Sequence, residues 1–312
     1  MSFAGEGASL PAGECMLLTG STGQVGRELL RILAPLGKVV APSRVDMDLA
    51  NADSVRDLVR RVRPRWIINA GAYTAVDKAE TESEIAYAVN AEAVAVMAEE
   101  ALAMGAGVLH FSTDYVFDGT KPEPYLEEDA TGPICVYGRT KLAGEQALGS
   151  SGVAHAIFRT SWVFGREGKN FLLTILGLAR ERDTLQIVED QHGAPTWSQD
   201  LARMAARFLR ACETRSCGGD LREALKEVGG LYHASGSGST TWYGFASEAL
   251  AMARAREPAE KFAAVQPTTT AEFPTPARRP ANSRLNCSKL EDRTGWRMMD
   301  WRESLGKVMA EL

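Results

Sequence analysis

The sequence predicts an α/β protein in which a doubly wound parallel sheet is combined with a smaller C-terminal α+β unit. Short apolar runs alternate with amphipathic helical stretches from Cys15 onward, which is typical of parallel strands joined by right-handed crossovers. The first apolar run leads directly into a glycine-rich turn at residues 20–26, and a stretch with helical spacing follows. Strand, glycine turn and helix in this order favour a sheet of the Rossmann type.

The turn at residues 20–26 has the sequence GSTGQVG. Gly20 permits a tight turn, Gly23 lets the backbone approach a pyrophosphate, and Gly26 lets helix and strand pack closely. The unpaired N–H groups at the start of the helix favour the same anion. We therefore expect a dinucleotide cofactor here.

The end of the second predicted strand bears on the choice of cofactor. NAD sites place an acidic residue there on the ribose 2′-hydroxyl, whereas this chain has Arg44. A guanidinium favours the 2′-phosphate of NADP. The alternative is that Arg44 is a solvated loop residue.

Three further residues suit acid–base chemistry on a carbonyl. Tyr137 and Lys141 have the i, i+4 spacing that places both on one helical face, and Thr113 ends the apolar run of residues 108–111. A neighbouring ammonium is expected to lower the pKa of a phenol, which can then protonate a developing alkoxide. The carboxyl end of a strand is where doubly wound proteins hold their sites.

Two polar residues lie within predicted elements of secondary structure. Asn90 lies in the Ala-rich predicted helix of residues 85–104, where an asparagine usually faces solvent or bonds locally. His110 lies in an apolar strand and is interpreted as a satisfied core residue. Neither is assigned a role in the site.

Composition excludes several classes of function. The net charge of −5 over 312 residues disfavours nucleic-acid binding. The five cysteines lack metal-site spacing, so no metal-ligating residues are assigned, and they fit a reducing compartment, so we expect a cytoplasmic protein. No apolar run is long enough for a membrane span, and no signal peptide is evident.

The chain is expected to divide into two units. Residues 15–165 and 192–235 form the cofactor-binding unit, residues 166–191 and 236–312 form the substrate-binding unit, and residues 1–14 form a loose extension. The loop at residues 274–285 holds three arginines in seven residues. Arg279 and Arg284 are the candidates for binding a substrate diphosphate. The alternative is that these arginines brace the C-terminal segment through salt bridges.

Several motifs together resemble the extended short-chain dehydrogenases, and most closely the dTDP-4-dehydrorhamnose reductase family. The resemblance extends from about Met16 to the C-terminus. Its landmarks are GSTGQVG at 20–26, AYTAVDKAE at 72–80, STDYVF at 112–117, YGRTKLAGE at 137–145, RTSWV at 159–163, DQHGAPT at 190–196 and TPARRPANSRL at 275–285.

The resemblance implies reduction of a nucleotide-linked 4-keto sugar with NADPH, and in some members with NADH. It assigns catalysis to Thr113, Tyr137 and Lys141. It assigns cofactor binding to Gly20, Thr22, Gly23, Gln24, Val25, Asp48, Leu49, Ala70, Gly71 and Tyr73, with Tyr137 and Lys141. It assigns the deoxysugar pocket to Thr74, Val76, Asp114, Tyr115 and Trp162. Some members form dimers through Mg²⁺, but the stretch WSQD at 197–200 leaves that metal uncertain and a homodimer only possible.

Two other functions remain open at this stage. Dehydratases and epimerases of the same superfamily share the glycine turn and the Tyr-x-x-x-Lys pair, and dehydratases usually carry an acid beside the catalytic threonine, as Asp114 is here. One relative of the family is a non-catalytic regulatory subunit of methionine adenosyltransferase. Intact Tyr137 and Lys141 favour an enzyme.

Overall fold

The computed structural model describes residues 9–312. The strands are β1 (Cys15–Thr19), β2 (Lys38–Val40), β3 (Trp66–Asn69), β4 (Gly107–Thr113), β5 (His155–Thr160), β6 (Val163–Phe164), β7 (Thr184–Val188), β8 (His192–Gly193), β9 (Thr196–Trp197), β10 (Gly230–His233), β11 (Thr240–Thr241) and β12 (Ala264–Thr268).

The α-helices are α1 (Gln24–Leu33), α2 (Ala52–Val62), α3 (Val76–Ala79), α4 (Ser83–Tyr87), α5 (Ala93–Met104), α6 (Val136–Ser150), α7 (Phe171–Glu181), α8 (Ser198–Ser216), α9 (Leu221–Lys226), α10 (Trp242–Arg256), α11 (Ser288–Thr294) and α12 (Trp301–Glu311). A π-helical segment (Ala88–Glu92) joins α4 to α5, so the predicted helix of residues 85–104 is one helix with a wide turn inside it.

A six-stranded sheet in the order β2-β1-β3-β4-β5-β10 forms the larger unit, and every neighbouring pair is parallel. The predicted fold class is therefore confirmed. The chain adds β2 on one side of β1 and β3 on the other, so the winding reverses at β1. Ligands of such sheets bind outside the carboxyl ends of the strands at this reversal. Here those ends are Thr19 and Asn69.

Helices cover both faces of the sheet, as apolar strands in a parallel sheet require. One face packs on α1, α8 and α9 through residues such as Leu29, Phe208 and Leu221. The other face packs on α2 and α5 through residues such as Val55 and Met97. Both sets are buried.

The smaller unit has a separate core. The parallel pair β7 and β12 packs with α7, α10 and α12, and representative core residues are Leu172, Leu185, Phe245 and Leu305. The predicted division into two units differs from the structure at α11, because Leu290 lies in the core on the sheet.

The predicted loose extension of residues 1–14 is only partly within the described chain. Leu10 donates its backbone N–H to Leu36 O at 2.9 Å, and its side chain packs against the core of the sheet. The prediction is therefore wrong for the part around Leu10, and residues 1–8 lie outside the described residues. Within residues 9–312, no helix is both long and apolar enough to cross a bilayer.

The closest approach between α6 and the π-helical segment is at Gly144. A Cβ atom at this position would lie 2.1 Å from Asn90 O, which leaves no space for a side chain. Gly149, on the exposed surface near the end of the same helix, would meet no atom within 4 Å.

We expect Gly144→Ala to lower the free energy of unfolding by about 1–3 kcal/mol, because the backbones must separate. Gly149→Ala is the matched control and should leave stability unchanged or raise it by up to ~1 kcal/mol through helix propensity. Urea unfolding of the two variants measures the difference. Equal stability of the two would contradict the tight contact.

Candidate active site

A cavity of about 880 Å³ extends from the glycine turn, past the carboxyl ends of the central strands, to the smaller unit. Its lining includes every residue that the sequence assigned to catalysis, cofactor or sugar, with the exceptions of Arg279 and Arg284. The volume falls within the range of small-molecule sites.

The glycine turn has the shape of a pyrophosphate cradle. Gly20 has φ of +67°, and a Cβ there would lie 2.5 Å from the backbone N of Gly71. A Cβ at Gly26 would lie 2.0 Å from Gly20 O, so α1 begins in direct contact with the turn. Gly23 caps α1 without a side-chain hydrogen bond, which leaves N–H groups for an anion. These residues therefore fit a dinucleotide.

Helix α6 begins one residue before Tyr137 and carries both Tyr137 and Lys141. Cys135 caps it by accepting a hydrogen bond from the Gly138 N–H at 3.5 Å. A Cβ at Gly138 would lie 2.1 Å from Tyr115 O, so glycine lets the start of the helix approach the strand end. The Tyr137 and Tyr115 rings pack edge to face with centroids 5.5 Å apart. Tyr137 and Lys141 both line the cavity.

Burial controls the electrostatics of the phenol. It raises the pKa of Tyr137 above its ordinary value, and the Thr113 hydroxyl offsets part of the rise. The expected lowering of this pKa by Lys141 is therefore not seen in the ligand-free protein. The physical reason is that a low dielectric disfavours the phenolate and also disfavours the ammonium that would stabilise it.

The amine of Lys141 is buried, with the residue only 2% exposed. It donates a hydrogen bond to Phe111 O at 2.7 Å and lies 3.2 Å from His110 Nε2. Burial lowers the pKa of Lys141 to about 8, and the Glu145 carboxylate acts in the opposite direction. Lys141 therefore titrates much closer to neutral pH than an exposed lysine.

Asn90 connects the catalytic helix to the loop after β3, contrary to its expected surface or local role. Its side chain accepts from the Tyr73 N–H at 2.8 Å and donates to Tyr73 O at 3.2 Å and to Thr140 Oγ1 at 3.1 Å. The π-helical segment presents this side chain to both partners, and such segments often occur at functional sites. The asparagine thereby fixes the loop relative to α6.

Asp114 lies next to Thr113 at the inner end of the cavity. Its Oδ1 accepts from the Thr113 hydroxyl at 3.1 Å, and its Oδ2 is buried without a partner among the described residues. Burial raises the pKa of Asp114 to about 6, and the nearby Ser283 and Thr113 hydroxyls act in the opposite direction. Asp114 lines the cavity, where a ligand hydroxyl could satisfy the unpaired oxygen.

The far end of the cofactor groove carries Arg44, Asp48 and Leu49. The Arg44 side chain is 84% exposed, and its Nε lies 3.9 Å from Asp48 Oδ1. An exposed pair at this distance contributes little to stability, so the guanidinium can reorient toward a ligand.

Aromatic residues form the wall on the side of the smaller unit. Trp162 stacks on Trp242 with centroids 3.6 Å apart, and Phe171 packs against Trp242. Trp162 has φ of +47°, an unusual conformation for a bulky residue that the surroundings must hold in place. A Cβ at Gly193 would lie 2.4 Å from the Trp162 ring, which explains the glycine of the GAPT stretch.

The arginine loop does not enter the cavity. The Arg279 guanidinium pairs with Asp77 at 2.9 Å and with Thr275 and Ala277 O. Arg284 donates to Asn282 Oδ1 at 2.8 Å and to Pro122 O. The expected bracing of the C-terminal segment through salt bridges is therefore not seen: Arg279 is paired with Asp77 of α3, and the two Arg284 contacts are with an amide and a backbone carbonyl.

Comparison with known proteins identifies the family. The model described as the RmlD substrate binding domain matches residues 14–312. The dTDP-4-dehydrorhamnose reductases of Escherichia coli K12 and Burkholderia thailandensis are 45% and 43% identical to this chain. Each match covers 95% of this chain, and 97% and 98% of those two proteins. The chain belongs to the dTDP-4-dehydrorhamnose reductase family.

A solved structure agrees with this assignment. The Bacillus anthracis dTDP-4-dehydrorhamnose reductase, crystallised in complex with NADP, superposes with a TM-score of 0.85 at 33% identity. The match covers 96% of this chain and 99% of that one. The family resemblance drawn from the sequence motifs is therefore confirmed.

Sequence reasoning missed several residues that line the cavity. Lys169, Phe171 and Trp242 approach it from the smaller unit. They carry no motif, and their approach depends on how the two units fold together. Asn69 and His110 lie behind Lys141 and not in the lining, and each gave a usable signal as a polar residue inside an otherwise apolar strand. No group of three or more His, Cys, Asp or Glu suited to a metal occurs within residues 9–312.

The raised pKa of Asp114 predicts a pH-dependent stability. The native carboxyl binds a proton up to about pH 6, whereas an unfolded aspartate releases it near ~3.9. The native state therefore holds more protons in this window, and the free energy of unfolding falls as the pH rises through it, by about 2–3 kcal/mol.

Asp114→Asn should abolish this component, and urea unfolding between pH 4 and pH 7.5 measures it. Asp183→Asn is the control, because the Lys261 ammonium beside that exposed carboxylate lowers its pKa. Identical pH profiles for wild type and Asp114→Asn would refute the assignment.

Proposed function

We propose that this protein reduces the C4 keto group of dTDP-4-dehydrorhamnose to give dTDP-L-rhamnose, with NADPH as reductant. The observation that carries the proposal is the continuity of one cavity from the glycine turn, past Thr113, Tyr137 and Lys141, to the aromatic wall. Such a cavity can hold a dinucleotide and a sugar end to end. The names of the relatives support the substrate, and the NADP complex of the Bacillus anthracis enzyme supports the cofactor.

The chemistry requires hydride and proton to arrive at the two ends of the carbonyl bond. NADPH, when bound along the glycine turn, supplies the hydride to C4. Tyr137 gives its phenolic proton to the C4 oxygen as negative charge develops there. Thr113 donates a hydrogen bond to the same oxygen and stabilises it in a site with little water.

Lys141 and the loop residues Ala70, Gly71 and Tyr73 would hold the cofactor near Tyr137. A protonated Lys141 would also favour the Tyr137 phenolate that follows proton donation. Arg44 would hold the 2′-phosphate of NADPH. This contact would favour NADPH over NADH but would still allow NADH to bind.

The sugar would lie against Thr74, Val76, Asp114, Tyr115 and Trp162, with its hydroxyls satisfying the buried Asp114 Oδ2. Arg279 stays a candidate for binding the diphosphate. Its partner Asp77 directly follows Val76, which lines the cavity, so an incoming anion can replace the Asp77 carboxylate as the partner of the guanidinium. A cytoplasmic location, a homodimer and any role of Mg²⁺ stay predictions from the sequence.

The decisive assay follows NADPH oxidation with dTDP-4-dehydrorhamnose. The wild-type protein should turn over, and Tyr137→Phe should reduce kcat by about 10²–10⁴ with little change in NADPH affinity. Tyr87→Phe, an exposed position outside the cavity lining, is the control and should retain wild-type turnover. Undiminished turnover in Tyr137→Phe would remove the phenol from the mechanism, and an inert wild type would favour a regulatory protein.

Arg279 and Arg284 give a second test, because their side chains have different partners. Arg279→Gln should raise the KM for the nucleotide sugar roughly 10- to 100-fold, since a charge-assisted hydrogen bond is worth about 1.5–3 kcal/mol. Arg284→Gln should leave that KM unchanged and lower the melting temperature, because its guanidinium joins Pro122 to Asn282. An unchanged KM in Arg279→Gln would make its pairing with Asp77 structural.

A further inference from the structure

Three polar side chains form a row across the sheet behind Lys141. Thr19 on β1 is in register with Asn69 on β3, and Asn69 is in register with His110 on β4, so all three point to one face. The Thr19 hydroxyl donates to Asn69 Oδ1 at 2.6 Å, and Asn69 Nδ2 lies 3.0 Å from His110 Nδ1. His110 Nε2 lies 3.2 Å from the Lys141 amine.

Burial makes the direction of each hydrogen bond important. Thr19, Asn69, His110 and Lys141 are each at most 2% exposed. Two donors or two acceptors facing each other in such surroundings would be costly, because water cannot satisfy either group.

The backbone fixes the orientation of the Asn69 amide. The Gly71 N–H is shared between Thr19 Oγ1 at 3.1 Å and Asn69 Oδ1 at 3.2 Å, and a backbone N–H can only donate. A flipped amide would direct its NH₂ group at this N–H. The oxygen of Asn69 therefore faces Gly71, and its NH₂ group faces His110.

The orientation of Asn69 in turn fixes the tautomer of His110. Nδ1 must accept from the Asn69 NH₂ group, so a neutral imidazole carries its proton on Nε2. That N–H points at the Lys141 nitrogen. A hydrogen bond there requires the lone pair of an uncharged amine, which can still donate to Phe111 O at 2.7 Å.

We propose that His110 is a positioning residue that favours the uncharged amine of Lys141 over the ammonium, through a tautomer set by Thr19, Asn69 and the Gly71 N–H. This deepens the proposed function, because the charge on Lys141 decides whether the Tyr137 phenolate is favoured. The row of Thr19, Asn69 and His110 therefore influences how readily Lys141 gains or loses its proton near neutral pH.

The surroundings of the row keep His110 neutral and weaken the main support for the ammonium. Glu145, on the same helix as Lys141, would favour the ammonium, but its carboxylate is paired with Arg159 on β5 at 2.7 Å. Burial lowers the pKa of His110 well below its ordinary value, and positive charge on Lys141 or His155 acts in the same direction, so His110 stays neutral.

The opposing interpretation uses the other tautomer. If Nδ1 carried the proton, Nε2 would accept from a Lys141 ammonium, and His110 would stabilise the charged form. The two interpretations predict opposite proton positions on the ring and opposite effects on the lysine.

NMR of the ligand-free wild-type protein distinguishes them without any assay of turnover. The imidazole ¹⁵N shifts of His110, assigned through loss of its signals in His110→Gln, should place the proton on Nε2 from pH 6 to pH 9. The Lys141 ¹³Cε shift, assigned with Lys141→Met, should titrate at least one unit below the ordinary value of ~10.4. A proton on Nδ1, an imidazolium, or a lysine still fully charged at pH 9 would overturn the proposal.

Asn69→Asp then tests the row itself. The aspartate keeps an acceptor for Thr19 and Gly71 but replaces the NH₂ group with an oxygen that can accept from Nδ1. The His110 proton should move to Nδ1, and the Lys141 pKa should rise. A proton that stays on Nε2 would show that Asn69 does not set the tautomer. Because these readouts do not use substrate, their failure would leave the proposed reduction untouched, and an inert wild-type enzyme would leave them valid.

Discussion

The site depends on the close contact of α6 with the π-helical segment at Gly144. Because no side chain separates the two backbones there, α6 lies deep enough for Lys141 to reach His110 and Phe111 O on β4. The same contact brings Thr140 within 3.1 Å of Asn90, which also holds the Tyr73 backbone. One tight helix contact thus fixes the catalytic helix, the loop after β3 and the strand end relative to one another.

That depth has an electrostatic consequence. A buried phenol resists ionisation and a buried amine resists protonation, so burial raises the pKa of Tyr137 and lowers that of Lys141 to about 8. Neutral Tyr137 is the form that can donate a proton. The arrangement therefore keeps the acid ready before the reaction, and charge has to develop at the oxygen of the substrate before the phenolate becomes favourable.

Much of the larger unit could be predicted from the sequence, because its determinants are local. The glycine turn, the apolar strands and the Tyr-x-x-x-Lys spacing each act within a few residues. His110 is the satisfied core residue that was expected, whereas Asn90 was misjudged because its partners lie far along the chain, on the loop at Tyr73 and on α6. Trp242 and Lys169 were missed for the same reason, and the pairing of β7 with β12 joins segments separated by the whole of α10. Arg279 and Arg284 were grouped by proximity in sequence, although their side chains have separate partners.

These contacts give the two units different roles in the site. In the proposed reaction, Thr113, Tyr137 and Lys141 all belong to the sheet unit. The smaller unit supplies Trp242, which stacks on Trp162, and Phe171, which packs against Trp242. Stacking tolerates small changes of angle and separation better than a hydrogen-bonded row does. The wall proposed to meet the sugar can therefore adjust to a ligand while Tyr137 and Lys141 keep their positions.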